Sequence, residues 1–399
     1  MNRKVFGGVM PRPMTVRSMK PSDFPHVRPA HLEIAKKLSS PLLLGPPLCE
    51  ELIDLVCHVF SEEEADLAQH LSGMKWKAYK EVARVAHRNE EETNEILRSL
   101  ANEKAVILAK GPRKRKQYRL LPIIPGMFEM CLVSESLETM SEWHKKFIEA
   151  IERLYETGYM RGYGDTMPRL VRFLPSTETV SGNPLALPSD RLEVVFDRYD
   201  RFAVGNCQCR MTMDVLGKGC GKPLENCIVM GDWAASAIRK GRMREISKKS
   251  ALERKAEAEY HGLTSWIMNV ESTRGQVSCS CCGCCCHAMR LVNEFNVPGW
   301  IAPPHFVPVF DLSACNYCGK CAVACPMGAI VVDARQKSTW RIDARCVGCG
   351  MCRRVCSDRK AVKMEPVEDY KLPPRSWYAM IAREGYRGVR TALEAWLRR

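Results

Sequence analysis

The sequence predicts an α+β protein with several domains, and three observations support this prediction. A chain of 399 residues is long enough for two to four domains. Helical periodicity followed by a basic hairpin pattern fills much of the first third, whereas short strand patterns flank clustered cysteines near the end. A hydrophobic content of 46% and a charged content of 27% describe an ordinary soluble protein. The 21 cysteines are the unusual feature.

We divide the chain into segments where its composition and periodicity change. The segments are an extended arm at 1–47, a three-helix and hairpin domain at 48–128, a helix and linker at 129–189, an α/β cysteine-rich module at 190–297, a small strand-and-cysteine domain at 311–365 and an amphipathic helix at 366–399. Four prolines at 297–308 predict a bridge between the last two cysteine-bearing segments.

The first domain combines helices with a basic hairpin. A capping box formed by Ser61 and Glu64 opens its first helix, and further helices are expected at 78–87 and 90–104. Strands at 105–108 and 118–121 follow, joined by a basic turn. A longer amphipathic helix is expected at 135–160.

This helix and hairpin pattern resembles a winged helix-turn-helix. The resemblance implies that the third helix enters the major groove of DNA. Its exposed face, however, carries Glu90, Glu91, Glu92 and Glu95, which DNA phosphates would repel. We therefore favour protein docking or a structural role for this domain, and DNA binding stays open as the alternative.

Eight cysteines near the carboxyl end follow the spacing CxxCxxCxxxC twice. They are Cys315, Cys318, Cys321 and Cys325, then Cys346, Cys349, Cys352 and Cys356. Short strands are expected at 329–332, 339–342 and 361–364 around them. Two complete runs favour iron–sulfur clusters over zinc, because a zinc site needs only four ligands and does not require a doubled pattern of eight thiolates.

This doubled motif resembles the bacterial-type two-cluster ferredoxins, whose runs bind two [4Fe–4S] clusters. Ser357 departs from that family, which usually repeats the proline seen at Pro326. In the family the fourth cysteine of each run ligates the other cluster. The resemblance therefore implies two ligand sets. One set is Cys315, Cys318, Cys321 and Cys356, and the other is Cys325, Cys346, Cys349 and Cys352.

Ten further cysteines lie in the middle module. They are Cys207, Cys209, Cys220, Cys227, Cys279, Cys281, Cys282, Cys284, Cys285 and Cys286. Six of them fall within eight residues, where thiols this dense indicate soft metal. We prefer two more [4Fe–4S] clusters with two thiols left over, and one cluster plus a zinc site stays open. The triplet at 281–283 resembles the CCG signature of the heterodisulfide reductase family, whose modules hold non-cubane clusters.

The sequence carries no nucleotide-binding, nucleophile-elbow or zinc-protease motif, so we predict no catalytic residue and leave open whether the chain is an enzyme. The formal charge is +14. Each cluster adds roughly −2, so the loaded protein stays basic and suits an acidic ferredoxin or flavoprotein partner.

We expect a relay of single electrons in an anaerobic oxidoreductase complex. The alternative is a cluster-dependent transcriptional regulator. Without a signal peptide or a membrane-spanning segment, the expected location is the cytoplasm.

Overall fold

The computed structural model describes residues 5–6, 11–166, 168–271 and 274–397. The described strands are β1 Val5–Phe6, β2 Lys77–Ala78, β3 Ile107–Lys110, β4 Gln117–Leu120, β5 Val171–Phe173, β6 Phe202–Asn206, β7 Glu225–Gly231, β8 Arg244–Ile246, β9 Thr264–Met268, β10 Gly275–Cys281, β11 Phe306–Phe310, β12 Ile330–Asp333, β13 Ser338–Arg341 and β14 Val362–Pro366.

The described α-helices are α1 Pro29–Leu38, α2 Glu50–Val59, α3 Glu62–Ala68, α4 Tyr79–Ala86, α5 Glu90–Asn102, α6 Phe128–Leu132, α7 Glu142–Glu156, α8 Thr177–Val180, α9 Leu192–Phe196, α10 Gln208–Val215, α11 Asp232–Arg239, α12 Lys248–Tyr260, α13 His287–Phe295, α14 Lys320–Ala324, α15 Met351–Arg354 and α16 Trp377–Leu397. This mixture of helices and strands agrees with the predicted α+β class. The chain forms two compact units, which we describe separately.

The amino-terminal unit comprises Pro13–Tyr163 and Arg390–Arg399. The predicted capping box is present, because the Ser61 N–H donates to Glu64 Oε2 at 2.7 Å and the Glu64 N–H donates to Ser61 Oγ at 3.3 Å. Helices α4 and α5 form where the sequence predicted them. The antiparallel β3–β4 hairpin also forms, with β3 beginning two residues later than predicted, and β2 adds a third strand. The winged-helix resemblance itself stays a prediction.

Two boundaries in this unit differ from the sequence-based expectation. Helix α1 lies inside the segment predicted as an extended arm, so that prediction is wrong for Pro29–Leu38. The helix buries Ile34, Ala35 and Leu38, so tertiary packing stabilises a helix that is too short to be recognised from its sequence. The predicted helix at 135–160 is also shorter, because the Ser141 hydroxyl caps α7 at the His144 N–H.

The cysteine-rich unit comprises Met1–Arg12 and Gly164–Val389. Its main sheet has six strands in the order β5-β9-β10-β7-β6-β8, and neighbouring strands in it are antiparallel. Phe196, Val204, Ile228 and Ile267 form part of the hydrophobic core beside this sheet. The central strands β7 and β10 carry Cys227, Cys279 and Cys281, so a rigid sheet presents these thiols.

The doubled cysteine motif belongs to the same compact unit. Strand β12 lies between β1 and β13, and β11 pairs with β14. Strand β11 was not expected, because four prolines suggested a bridge at 297–308. Pro308 is accommodated because β11 has one neighbouring strand, so its missing N–H breaks no ladder on the other edge.

Candidate metal centres

The two runs of the doubled motif adopt the same local backbone. The residue two positions after the first cysteine is left-handed in both runs, with φ of 57° at Tyr317 and 67° at Gly348. Gly319 and Gly350, two residues further on, both have φ of 77°. Short helices α14 and α15 begin directly afterwards. The repeated spacing in the sequence is therefore a repeated loop that turns its thiols inward.

The first quartet, which comprises Cys315, Cys318, Cys321 and Cys356, lines one cavity. Cys321 interacts electrostatically with the other three members, as expected if they share a centre. Burial raises the pKa of Cys321 to about 11, so binding of a metal must displace its proton. Cys318 is exposed, which leaves one side of this quartet open to solvent.

The second quartet, which comprises Cys325, Cys346, Cys349 and Cys352, is more enclosed. Cys349 and Cys352 are buried, and the other two members are partly buried. Cys352 interacts electrostatically with Cys349, Cys325 and Cys346. The fold thus groups Cys325 with the second run and Cys356 with the first, in the crossed arrangement implied by the family resemblance. The ligand assignment itself remains a prediction.

Backbone N–H groups point at sulfur atoms in both quartets. The Ala329 N–H donates to Cys325 Sγ at 3.3 Å, and the Tyr317 N–H donates to Cys315 Sγ at 3.4 Å. Such donors stabilise thiolate charge and tune the potential of a bound cluster.

The second quartet also packs on the segment that precedes the middle module. The Ser176 N–H donates to Cys349 O at 2.9 Å, and a Cβ on Gly350 would lie 2.3 Å from Thr179 Oγ1. Only glycine fits this contact, so the Cys349 loop and this segment are closely joined.

Six of the ten middle cysteines form a continuous row, which we call the six-thiol row. Each of these thiols interacts with the next in the order Cys207, Cys209, Cys286, Cys281, Cys279, Cys227. The Trp266 indole N–H donates to Cys281 Sγ at 3.0 Å. Contacts with other thiols and burial raise the pKa of Cys279 well above its ordinary value. Binding of a metal at Cys279 must therefore displace its proton.

Two buried cations flank the six-thiol row, and sequence reasoning missed both. Lys255 Nζ donates to Ser278 O at 2.8 Å and to Ser280 Oγ at 3.0 Å, while Arg210 Nη1 donates to Ser280 O at 2.8 Å. The groups that raise the pKa of Lys255 are cysteine thiols, whereas Asp214 interacts electrostatically with Arg210. Buried charges need counter-charges, so an anionic centre on the row would fit.

The pKa values of these cations reflect the same surroundings. Burial lowers the pKa of Lys255 to about 8, although nearby cysteines oppose this shift. Burial also opposes the charge on Arg210, but Cys207, Cys281 and Cys282 raise its pKa above the ordinary value. Arg210 directly follows Cys209 in the sequence, which is a weak signal, whereas Lys255 lies on a helix without any.

The other four middle cysteines form a compact cluster, which we call the four-thiol group. It comprises Cys220, Cys282, Cys284 and Cys285, whose sulfur atoms all lie within 4.8 Å of one another. Gly219, next to Cys220, allows a close approach to Asp214, because a Cβ there would lie 1.7 Å from Asp214 Oδ1.

One comparison with known proteins gives a match. Residues 307–363 match the family model of a 4Fe-4S dicluster domain, and this range includes both cysteine runs. The match supports a 4Fe–4S cofactor here, and with the many cysteines it indicates iron–sulfur electron transfer. No curated protein and no solved structure matches the chain. Within the described residues, no helix is long and apolar enough to cross a membrane.

Proposed function

We propose that this protein relays single electrons through [4Fe–4S] clusters as a subunit or adaptor of an anaerobic oxidoreductase complex. The observation that carries the proposal is the pair of quartets, one open to solvent and one enclosed. A bound cluster would supply reversible uptake of one electron. The proposed ligands are the two quartets and four members of the six-thiol row.

The chain's own residues would keep the quartets dry and electrically balanced. Phe306, Ile330 and Val362 are buried in the same hydrophobic cluster as Cys352, and they exclude water from the second quartet. Lys255 and Arg210 would offset negative charge at the six-thiol row. Fixed cations favour the electron-rich state, because they offset its added negative charge where water cannot.

The open side of the first quartet suits an acidic electron carrier. Exposed Lys320 and Arg359 line the same cavity as Cys318. Val323 and Val355 add exposed apolar surface nearby. A basic rim around an apolar centre steers an acidic ferredoxin or flavoprotein towards the quartet, and the one electron would come from that carrier. We propose cytoplasmic location in an oxygen-poor host, because thiolate-bound clusters are oxidised readily.

The test is anaerobic purification followed by iron and sulfide analysis and electron paramagnetic resonance of the dithionite-reduced protein. We expect about twelve iron atoms per chain, from two clusters in the doubled motif and one on the six-thiol row. Cys349→Ala should remove about four iron atoms and one signal. Cys57→Ser is the matched control, since Cys57 lies alone on α2 and should change neither. Protein without iron would refute the proposal.

Cluster-dependent DNA binding is the second candidate function, favoured by the order of three helices and a hairpin with a basic turn at 111–116. Glu90 and Glu92 on α5 already pair with Lys80 and Arg88, so two cations near that helix are partly neutralised. Gel shifts at varied salt, with iron-loaded and iron-free protein, test this function. Sequence-specific binding that requires clusters would favour the regulator.

A further inference from the structure

The ten middle cysteines divide into two groups that alternate along the chain. Cys281 belongs to the six-thiol row and Cys282 to the four-thiol group, while Cys285 belongs to the group and Cys286 to the row. Adjacent side chains thus serve different groups. The dense cysteine sequence therefore contains ligands for two neighbouring centres, and each centre must be assigned from its own geometry.

We propose that the four-thiol group binds a single tetrahedral metal ion, zinc by its chemistry, and not a [4Fe–4S] cluster. This proposal concerns residues that the electron relay does not use, so it stands independently of the proposed function. Soft thiolates in a set of four are the donor set of structural zinc sites.

The sulfur spacing carries the proposal. Zinc–sulfur bonds of about 2.3 Å in tetrahedral geometry place the four sulfurs about 3.8 Å apart. The Cys220 and Cys282 sulfurs are 3.9 Å apart, and the Cys284 and Cys285 sulfurs are 3.7 Å apart. The group therefore already has the dimensions of four thiolates around one ion.

The doubled motif provides an internal comparison. In a cubane each thiolate binds a different iron atom, so the four thiolates lie farther apart than on a single ion. Within residues 274–397, all of which the structure describes, no three of the eight cysteines in the two runs lie within 4.8 Å of one another. The same fold thus contains widely spaced quartets and one tight group, and the tight group matches a mononuclear site.

The position of the group suggests a structural role for the ion. Cys282, Cys284 and Cys285 lie in the loop between β10 and α13, whereas Cys220 lies beyond α10, so one ion would join two distant segments. Gly283 lies within this loop, and a Cβ on it would be 1.8 Å from Pro326 O. The ion would therefore hold rigid the loop that packs directly beside Cys325 of the second quartet.

The test is metal analysis of the full-length protein after anaerobic purification. We expect about one zinc atom per chain in addition to the iron. Protein produced with cobalt(II) should show the visible absorption bands of a tetrahedral cobalt thiolate site. Absence of zinc together with absence of these cobalt bands would overturn the proposal.

Variants locate the ion. Cys220→Ala and Cys285→Ser should each remove the zinc and the cobalt bands, while the paramagnetic resonance signals of the doubled motif persist. The control is Cys57→Ser, which should retain one zinc. Loss of about four iron atoms from either variant, with wild-type protein free of zinc, would identify a cubane and refute the proposal. One sulfide-free iron atom at these thiols would overturn the choice of zinc.

If either variant loses both metals, the cobalt spectrum of the wild-type protein decides whether a tetrahedral thiolate site is present. A failure of this proposal also remains distinct from a failure of the electron relay. Loss of zinc leaves the iron signals of the two quartets in place, whereas failure of the relay would appear as missing iron.

Discussion

Gly283→Ala should force apart the four-thiol loop and the doubled cysteine motif. The added Cβ would lie 1.8 Å from Pro326 O, whereas ordinary contacts begin at 3.4 Å, so the chains must separate by at least 3.4 − 1.8 = 1.6 Å. Asn293 Nδ2 joins the same two segments, donating to Gly283 O at 3.2 Å and to Pro326 O at 2.8 Å. The new methyl group would also lie 2.9 Å from that nitrogen.

The expected cost follows from these contacts. Overpacking costs about 1–3 kcal/mol, and weakening one Asn293 hydrogen bond costs about 0.5–1.5 kcal/mol. We therefore expect the free energy of unfolding to fall by about 1.5–4.5 kcal/mol. For a unit of this size each kcal/mol lowers Tm by about 2–4 °C, so the apparent Tm should fall by about 3–18 °C.

The assay is anaerobic thermal unfolding at a fixed scan rate, followed by circular dichroism and by cluster absorbance. Gly385→Ala is the matched control, because Gly385 lies in α16 and an added Cβ meets nothing within 4 Å. Alanine in a helix is favoured over glycine by about 0.5–1 kcal/mol, so this variant should be neutral or slightly stabilised. If Gly283→Ala retains the wild-type Tm and metal content, the close contact with Pro326 is wrong.

Three further predictions concern charge. Reversal of Lys320 and Arg359 to glutamate should lower the rate of reduction by an acidic carrier about tenfold and weaken its salt dependence in stopped-flow measurements, and an unchanged rate would reject this docking surface. Lys255→Met should lower the potential of a cluster on the six-thiol row by on the order of 100 mV in a redox titration, with Lys255→Arg retaining most of the wild-type value. Desolvation raises the pKa of Glu129, so the contribution of this group to stability is present at low pH and is lost as the pH rises through its raised pKa. Glu129→Gln should therefore make Tm less dependent on pH. An equal pH dependence of Tm in both proteins would contradict the assignment.

Local sequence signals predicted much of the secondary structure correctly. The capping box at Ser61 and the strong periodicity of α4 and α5 determine their helices from within a few residues. Helix α1 and strand β11 escaped prediction, because each depends on partners distant in the chain. Proline normally disfavours a strand, so only the pairing of β11 with β14 reveals that Pro308 occupies an edge.

The spacing of the doubled motif by itself predicted two repeated cysteine loops suited to iron–sulfur clusters, because each loop is short enough to fix its own turn, and the division into two crossed quartets was implied by the family resemblance. Spacing could not divide the ten middle cysteines, since Cys220 and Cys285 are separated by two helices and four strands. Only the tertiary structure brings those thiols together and buries Lys255 beside the six-thiol row. Ligand sets assembled from distant segments depend on how the sheet and the helices pack, and the local spacing of the cysteines does not predict that packing.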